Sequence, residues 1–116
     1  MNFDSTSLWQ HEKALQRLAG NHDLLKRVVK MFIDQIDEKY LTLTTAVTKR
    51  DREEVRFTSH AIKGVSGDVG AEVLRLKASS IEILSKAEDW DEIDAQVEAL
   101  SSVIDATKAE MAAAHA

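Results

Sequence analysis

The sequence predicts an all-α fold, an antiparallel up-down-up-down four-helix bundle with a short additional helix at the N-terminus. Proline is absent from the 116 residues, and no Gly/Ser-rich linker interrupts them. Apolar residues recur at helical spacing almost throughout, which is typical of amphipathic helices, and short connections favour antiparallel neighbours. A chain of this length buries about two thirds of its unfolded surface, enough for one core. We therefore expect a single domain over 1–116, with the bundle at about 22–114.

The short N-terminal helix is predicted at about 7–19. Ser7 and Gln10 have the spacing of a capping box, and Gly20 suits the position just past the helix end. Trp9 is interpreted as a packing residue. The side chains expected to face inward are Leu8, Leu15 and Leu18.

The second helix is predicted from an N-cap at Asn21 to about Arg50. The pattern leaves open a break or kink at 38–41. Its inner stripe consists of Leu25, Val28, Val29, Phe32, Ile33, Ile36, Tyr40, Leu43 and Val47.

The last three helices have recognisable starts. Asp51 and Glu54 form an Asp-x-x-Glu pattern that opens the third helix, which we expect to end near Gly67, with 68–71 as a tight connection. The fourth, at 72–86, has a broad apolar face suited to two neighbours, formed by Val73, Leu74, Leu76, Ile81, Ile83 and Leu84. The fifth resembles a capped helix beginning at Asp89, and its apolar residues keep near-heptad spacing: Trp90, Ile93, Val97, Leu100, Ile104 and Met111.

The segment 59–71 is not explained by a helical scaffold alone. It holds three of the chain's four glycines, although each glycine in a helix costs roughly 0.5 to 1 kcal/mol relative to alanine. The apolar seam of this helix includes Val55, Ile62 and Val69, and His60 lies about 170° from the centre of the seam, at 100° per residue. The imidazole should therefore point to solvent.

Several neighbours share the face of His60. Lys63, Gly64 and Gly67 follow it at i+3, i+4 and i+7, and Arg56 precedes it at i−4. Each residue alone has an ordinary explanation as a polar-face charge or a helix cap. Phe57, at i−3, is either a docking contact or a packing residue against an adjacent helix.

The run His60-x-Ile-Lys-Gly-x-Ser-x-x-Val-Gly-Ala71 resembles the signature of histidine-containing phosphotransfer (HPt) domains of bacterial phosphorelays. Ser66 stands where alanine is common in that family. The resemblance implies the same bundle architecture over nearly the whole chain, although only 60–71 carries specific motif information.

The resemblance also implies a function. His60 is expected to accept a phosphoryl group and Lys63 to stabilise it, while Gly64, Gly67, Arg56 and Phe57 are candidates for partner binding. The expected partners are receiver domains of response regulators, which supply the aspartate and Mg²⁺, and a hybrid sensor histidine kinase. The sequence leaves open whether this chain is a free-standing protein or a domain of such a kinase. No cofactor or metal is expected on the chain. The sequence has no Gly-x-x-x-x-Gly-Lys-Ser/Thr motif for ATP, so we expect a phosphoryl carrier and not a kinase.

Composition limits the other classes of function. The net charge of −5 argues against binding to nucleic acid, and no apolar run or signal-like N-terminus predicts membrane insertion or export. We expect a cytoplasmic monomer. Two alternatives stay open: a helical adaptor without chemistry, and, more weakly, a di-iron bundle, whose Glu-x-x-His pairs do not occur at any of the four histidines.

Overall fold

The computed structural model describes residues 8–114, and these form five α-helices and no strand. The predicted all-α fold is confirmed. The helices are α1 (His11–Arg17), α2 (His22–Thr48), α3 (Arg52–Val69), α4 (Glu72–Ala87) and α5 (Trp90–Ala114).

The four long helices form the bundle. α2 packs against α3 and α5, and α4 packs against the same two helices, so that α1 is the additional element beside α2 and α3. Large side chains that are fully buried come from all four bundle helices: Leu25, Ile36, Leu43, Val55, Ile62, Val69, Leu74, Ile81, Ile93, Leu100 and Met111. Most of the residues predicted for the inner stripes lie in this core.

Three helices begin where the sequence predicts. The side chain of Asn21 accepts a hydrogen bond from Leu24 N, and Asp51 accepts one from Glu54 N. Asp89 accepts from Glu92 N in the same way. These bonds satisfy amides that have no partner within the helix. α2 then runs to Thr48 without interruption, so no break occurs at 38–41.

The predicted end of α3 near Gly67 is wrong. The helix continues to Val69, which is buried, and Gly70 is the C-cap with φ of +79°. Only a glycine adopts this left-handed conformation without strain, so the stop signal is Gly70 and the connection to α4 is shorter than predicted. A Cβ at position 70 would also lie 2.9 Å from the carbonyl oxygen of Gln10.

α1 is shorter than predicted. It begins at His11, and Gln10 is its N-cap without a side-chain hydrogen bond; Ser7, the other half of the predicted capping box, lies outside the described residues. Trp9 packs in the core, as predicted, and its ring stacks on His11 with 4.6 Å between centroids.

The N-terminal segment is anchored on the turn between α3 and α4. Gln10 N donates to Gly70 O at 2.8 Å, and Trp9 Nε1 donates to Val69 O at 2.8 Å. Both bonds satisfy carbonyls that the end of α3 leaves without helical partners. This anchoring holds α1 over one end of the bundle.

The broad apolar face predicted for α4 is only partly correct. Val73, Leu74 and Ile81 are buried, but Leu76 and Ile83 are exposed. Leu76 and Ile83 are seven residues apart and lie opposite the buried stripe of the helix, where neither α3 nor α5 reaches them. Within 8–114, no helix has the length and apolar character needed to cross a membrane.

Candidate functional site

His60 lies in the middle of α3 and points away from the core. Its side chain is 63% exposed, whereas Val55 and Ile62 on the same helix are fully buried. The core-facing stripe fixes the rotation of the helix about its axis, so the residue opposite that stripe must face outward. The orientation agrees with the helical spacing in the sequence.

A carboxylate on the neighbouring helix contacts both His60 and Lys63. Glu82, on α4, lies with Oε2 3.0 Å from His60 Nδ1 and Oε1 2.9 Å from Lys63 Nζ. Its side chain is only 14% exposed, and that of Lys63 is 31% exposed. Glu82 therefore joins the two residues of the predicted site through one carboxyl group.

Glu82 determines the tautomer of the imidazole. An ionised carboxylate can only accept hydrogen bonds, so the proton of a neutral His60 lies on Nδ1. The lone pair is then on Nε2, on the side of the ring away from Glu82. The site therefore presents a nucleophilic nitrogen to solvent.

The charge state of Glu82 supports this arrangement. Burial alone would raise the pKa of its carboxyl group, but the hydrogen bonds from Lys63 and His60 and the charge of Lys63 outweigh burial, so that the pKa of Glu82 is lowered from its ordinary value. Glu82 is thus ionised at neutral pH, as acceptance of both hydrogen bonds requires.

The sequence reasoning missed Glu82. α3 and α4 form an antiparallel hairpin whose connection is Gly70-Ala71, and residues at similar distances from this turn lie side by side. Position 82 is almost as far after the turn as position 60 is before it. A pairing of the two helices about Gly70 would have shown Glu82 beside His60, but the predicted helix end at Gly67 placed the turn too early.

The two helical glycines near His60 have different surroundings. A Cβ added at Gly64 would have no heavy atom within 4 Å, so packing within the chain does not require glycine there. A Cβ at Gly67 would lie 3.4 Å from Cδ of Arg75, and Arg17 donates a hydrogen bond to Gly67 O. Only Gly64 leaves bare backbone open beside the imidazole.

The structure also locates the other two predicted partner contacts. Arg56 forms an ion pair with Glu53, at 3.3 Å between Nη2 and Oε2, and no bond among the described residues joins it to His60. Phe57 is 65% exposed, which favours its interpretation as a docking contact over packing against an adjacent helix. Together with Ala61 and residues of α2 such as Thr42, it lines a groove of about 510 Å³ between α2 and α3.

Among residues 8–114, no three His, Cys, Asp or Glu side chains come close enough together to hold a metal ion. The chemistry that the site offers is that of one outward nitrogen nucleophile. An ammonium group and an ionised carboxylate lie within hydrogen-bond distance of each other beside it.

A four-helix bundle that presents such a histidine has the features of a helical phosphocarrier. The model of the Hpt domain family matches residues 27–114. This is more than half of the chain, and the protein belongs to that family. Hpt domains transfer phosphoryl groups through a histidine in phosphorelays, in contact with receiver domains, and they are carriers and not kinases. Comparisons with curated proteins and with solved structures gave no match.

Proposed function

We propose that this chain is a phosphorelay intermediate in which His60 accepts a phosphoryl group from the aspartyl phosphate of a receiver domain. The group then passes to a response regulator, or returns from it. The observation that carries the proposal is the outward Nε2 of His60, whose orientation and tautomer are set by Glu82.

The transfer needs one bond to form and one to break. The lone pair of His60 Nε2 attacks the phosphorus atom, and the bond between phosphorus and the aspartate oxygen breaks, its electron pair returning to the receiver's carboxylate. The proton on Nδ1 stays in place, so the phosphorylated ring is cationic when it forms. The carboxylate of Glu82, 3.0 Å from Nδ1, stabilises this positive charge.

Lys63 stabilises the negative charge of the phosphoryl group, as Glu82 stabilises the positive charge of the ring. Its ammonium group is held by Glu82 at 2.9 Å, beside the imidazole, and it attracts the oxygens of a phosphoryl group placed on Nε2. Glu82 thus positions both the nucleophile and the cation. After the transfer, the same contacts hold the phosphoryl group on Nε2 until the next receiver domain binds.

Access of the partner depends on the surface next to the imidazole. The open backbone at Gly64 allows a receiver's active site to approach Nε2 closely. Exposed Phe57 is an apolar contact for the same partner, and Gly67 and Arg56 are weaker candidates because both already have contacts within the chain. The receiver supplies Mg²⁺, a hybrid sensor kinase starts the relay, and the carrier acts as a cytoplasmic monomer.

The experiment is incubation of the purified chain with a receiver domain that carries a radiolabelled aspartyl phosphate. We expect label on the chain that is lost in acid and survives alkali, as a phosphoramidate does. His60→Gln should abolish labelling with an unchanged helical circular dichroism spectrum. His22→Gln is the matched control, because His22 is an exposed histidine at the start of α2.

Two outcomes would contradict the proposal. Undiminished labelling of the His60→Gln protein would place the phosphorylation site elsewhere. Absence of labelling with every receiver domain in a representative set would favour a helical adaptor without phosphotransfer chemistry.

A further inference from the structure

A second cluster of polar groups lies at the end of the bundle, between α1, the last turns of α3 and the first turn of α4. It surrounds a pocket of about 160 Å³. The side chains that line this pocket include Lys13, Arg17, Ser66, Glu72 and Arg75. The function proposed above uses none of them.

The charge of the pocket is positive. Arg75 forms an ion pair with Glu72, which compensates one cation. Arg17 donates a hydrogen bond to Gly67 O, and neither Arg17 nor Lys13 forms an ion pair with a carboxylate among residues 8–114. Two positive charges that form no ion pair among the described residues thus lie at this end of a chain whose net charge is −5.

A buried hydroxyl lies in the wall of the same pocket. Ser66 is fully buried, and its Oγ has no hydrogen-bond partner among the described residues. A buried polar group without a partner is costly, and such groups are rare in folded proteins. The two cations offer hydrogen-bond donors to the same small volume, and the hydroxyl of Ser66, in its wall, is a donor with no partner among residues 8–114.

We propose that this pocket binds a small oxyanion, either free phosphate or a carboxylate group of a protein partner. A planar guanidinium such as that of Arg17 suits two oxygens of one anion, and an ammonium adds a point charge. The volume of about 160 Å³ is enough for one group of this size. The inference does not depend on phosphotransfer at His60.

The test is an NMR titration of the full-length ¹⁵N-labelled chain at constant ionic strength, in the His60→Gln background so that an anion at His60 does not contribute. One arm uses inorganic phosphate, and the other uses a short peptide with two aspartates. We expect saturable shifts of the amides of Ser66, Gly67 and Gly70. Shifts with phosphate identify a free ion, and shifts with the peptide alone identify a carboxylate from a partner.

Three variants test which residues hold the anion. Lys13→Gln and Arg17→Gln should each weaken binding about tenfold, because hydrogen bonds to charged groups are the strong ones. Ser66→Ala should weaken binding about threefold while leaving stability in anion-free buffer equal or higher, since its hydroxyl has no partner among residues 8–114 to lose. Arg27→Gln, at an exposed arginine of α2, is the matched control.

Absence of saturable shifts with both ligands would overturn the inference. Equal affinity of the Lys13→Gln, Arg17→Gln and parent proteins would also overturn it, as would shifts confined to Lys63 and its neighbours. Since the His60→Gln background has no nucleophile, these results do not bear on phosphotransfer itself.

Discussion

Replacing Glu82 by glutamine tests whether this residue sets the reactivity of His60. Glutamine has the shape of glutamate, and its amide oxygen can accept a hydrogen bond from Nδ1. The substitution removes the negative charge that holds Lys63 and that stabilises the cationic phosphorylated ring. The amide NH₂ group also donates a hydrogen bond, so it allows the other tautomer of His60, with the proton on Nε2.

The expected magnitude follows from the hydrogen bond between Glu82 and His60. Bonds to charged groups contribute about 1.5 to 3 kcal/mol, and neutral ones about 0.5 to 1.5 kcal/mol. Loss of the charge therefore removes roughly 1 to 1.5 kcal/mol of stabilisation that is greatest when the ring becomes cationic. A difference of about 1.4 kcal/mol corresponds to a tenfold change in rate, and we expect transfer to slow by about fivefold to tenfold.

Rapid-quench measurement of phosphoryl transfer from a labelled receiver domain gives the rate, with saturating receiver so that docking does not limit it. ¹⁵N chemical shifts of the imidazole report the tautomer independently. Glu88→Gln is the matched control, because Glu88 also joins α4 to α3, through Arg52 at 3.4 Å, without contacting His60. The control should transfer at the parent rate.

A Glu82→Gln protein with the parent rate and unchanged imidazole shifts would refute the reasoning. A rate lowered equally by Glu88→Gln would show that the effect comes from helix packing. A lowered rate with an unchanged tautomer would leave charge stabilisation as the only contribution of Glu82.

Three further predictions concern stability and access. Gly64→Ala should raise the free energy of unfolding by about 0.5 to 1 kcal/mol in urea denaturation and yet slow transfer, because the added methyl meets no atom of the chain but lies in the path of the partner; equal transfer would contradict the access role. Gly70→Ala should lower stability by more than about 1 kcal/mol, since φ is +79° and Gln10 O lies 2.9 Å from the new Cβ; an unchanged melting temperature would contradict this. Because the pKa of Glu82 is lowered in the folded state, its ionised carboxylate stabilises the fold at pH values above the unfolded pKa of about 4.3, and this contribution is lost as the pH falls through the folded pKa. Glu82→Gln should therefore lower the free energy of unfolding at pH 7 and not at pH 2. Equal effects at the two pH values would contradict this prediction.

Helix starts were predictable from the sequence because capping is local. The side chains of Asn21, Asp51 and Asp89 bond to amides three residues ahead, and nothing distant is needed. The end of α3 was harder, since both Gly67 and Gly70 are compatible with a C-cap. The choice between them depends on burial of Val69 and on the N-terminal segment that binds the turn, and these are tertiary contacts.

The orientation of His60 was predictable for a similar reason. One buried stripe determines which face of a helix is outward, and the apolar residues of α3 alone define that stripe. The exposure of Leu76 and Ile83 was not predictable in this way, because an apolar residue on a helix indicates burial only if a neighbour covers that side.

Glu82 shows what an outward histidine alone leaves undetermined. An exposed imidazole without a partner exchanges between its two neutral tautomers, and either nitrogen can then act as nucleophile. The pairing of α3 with α4 removes this freedom, because it places an ionised carboxylate against Nδ1. The same carboxylate holds the ammonium group of Lys63 at 2.9 Å, beside the imidazole. If His60 is the phosphoryl acceptor, as proposed, the helix pairing about Gly70 leaves Nε2 as the nitrogen that reacts. A change in the α3–α4 turn should then alter the reactivity of His60 without any substitution near it.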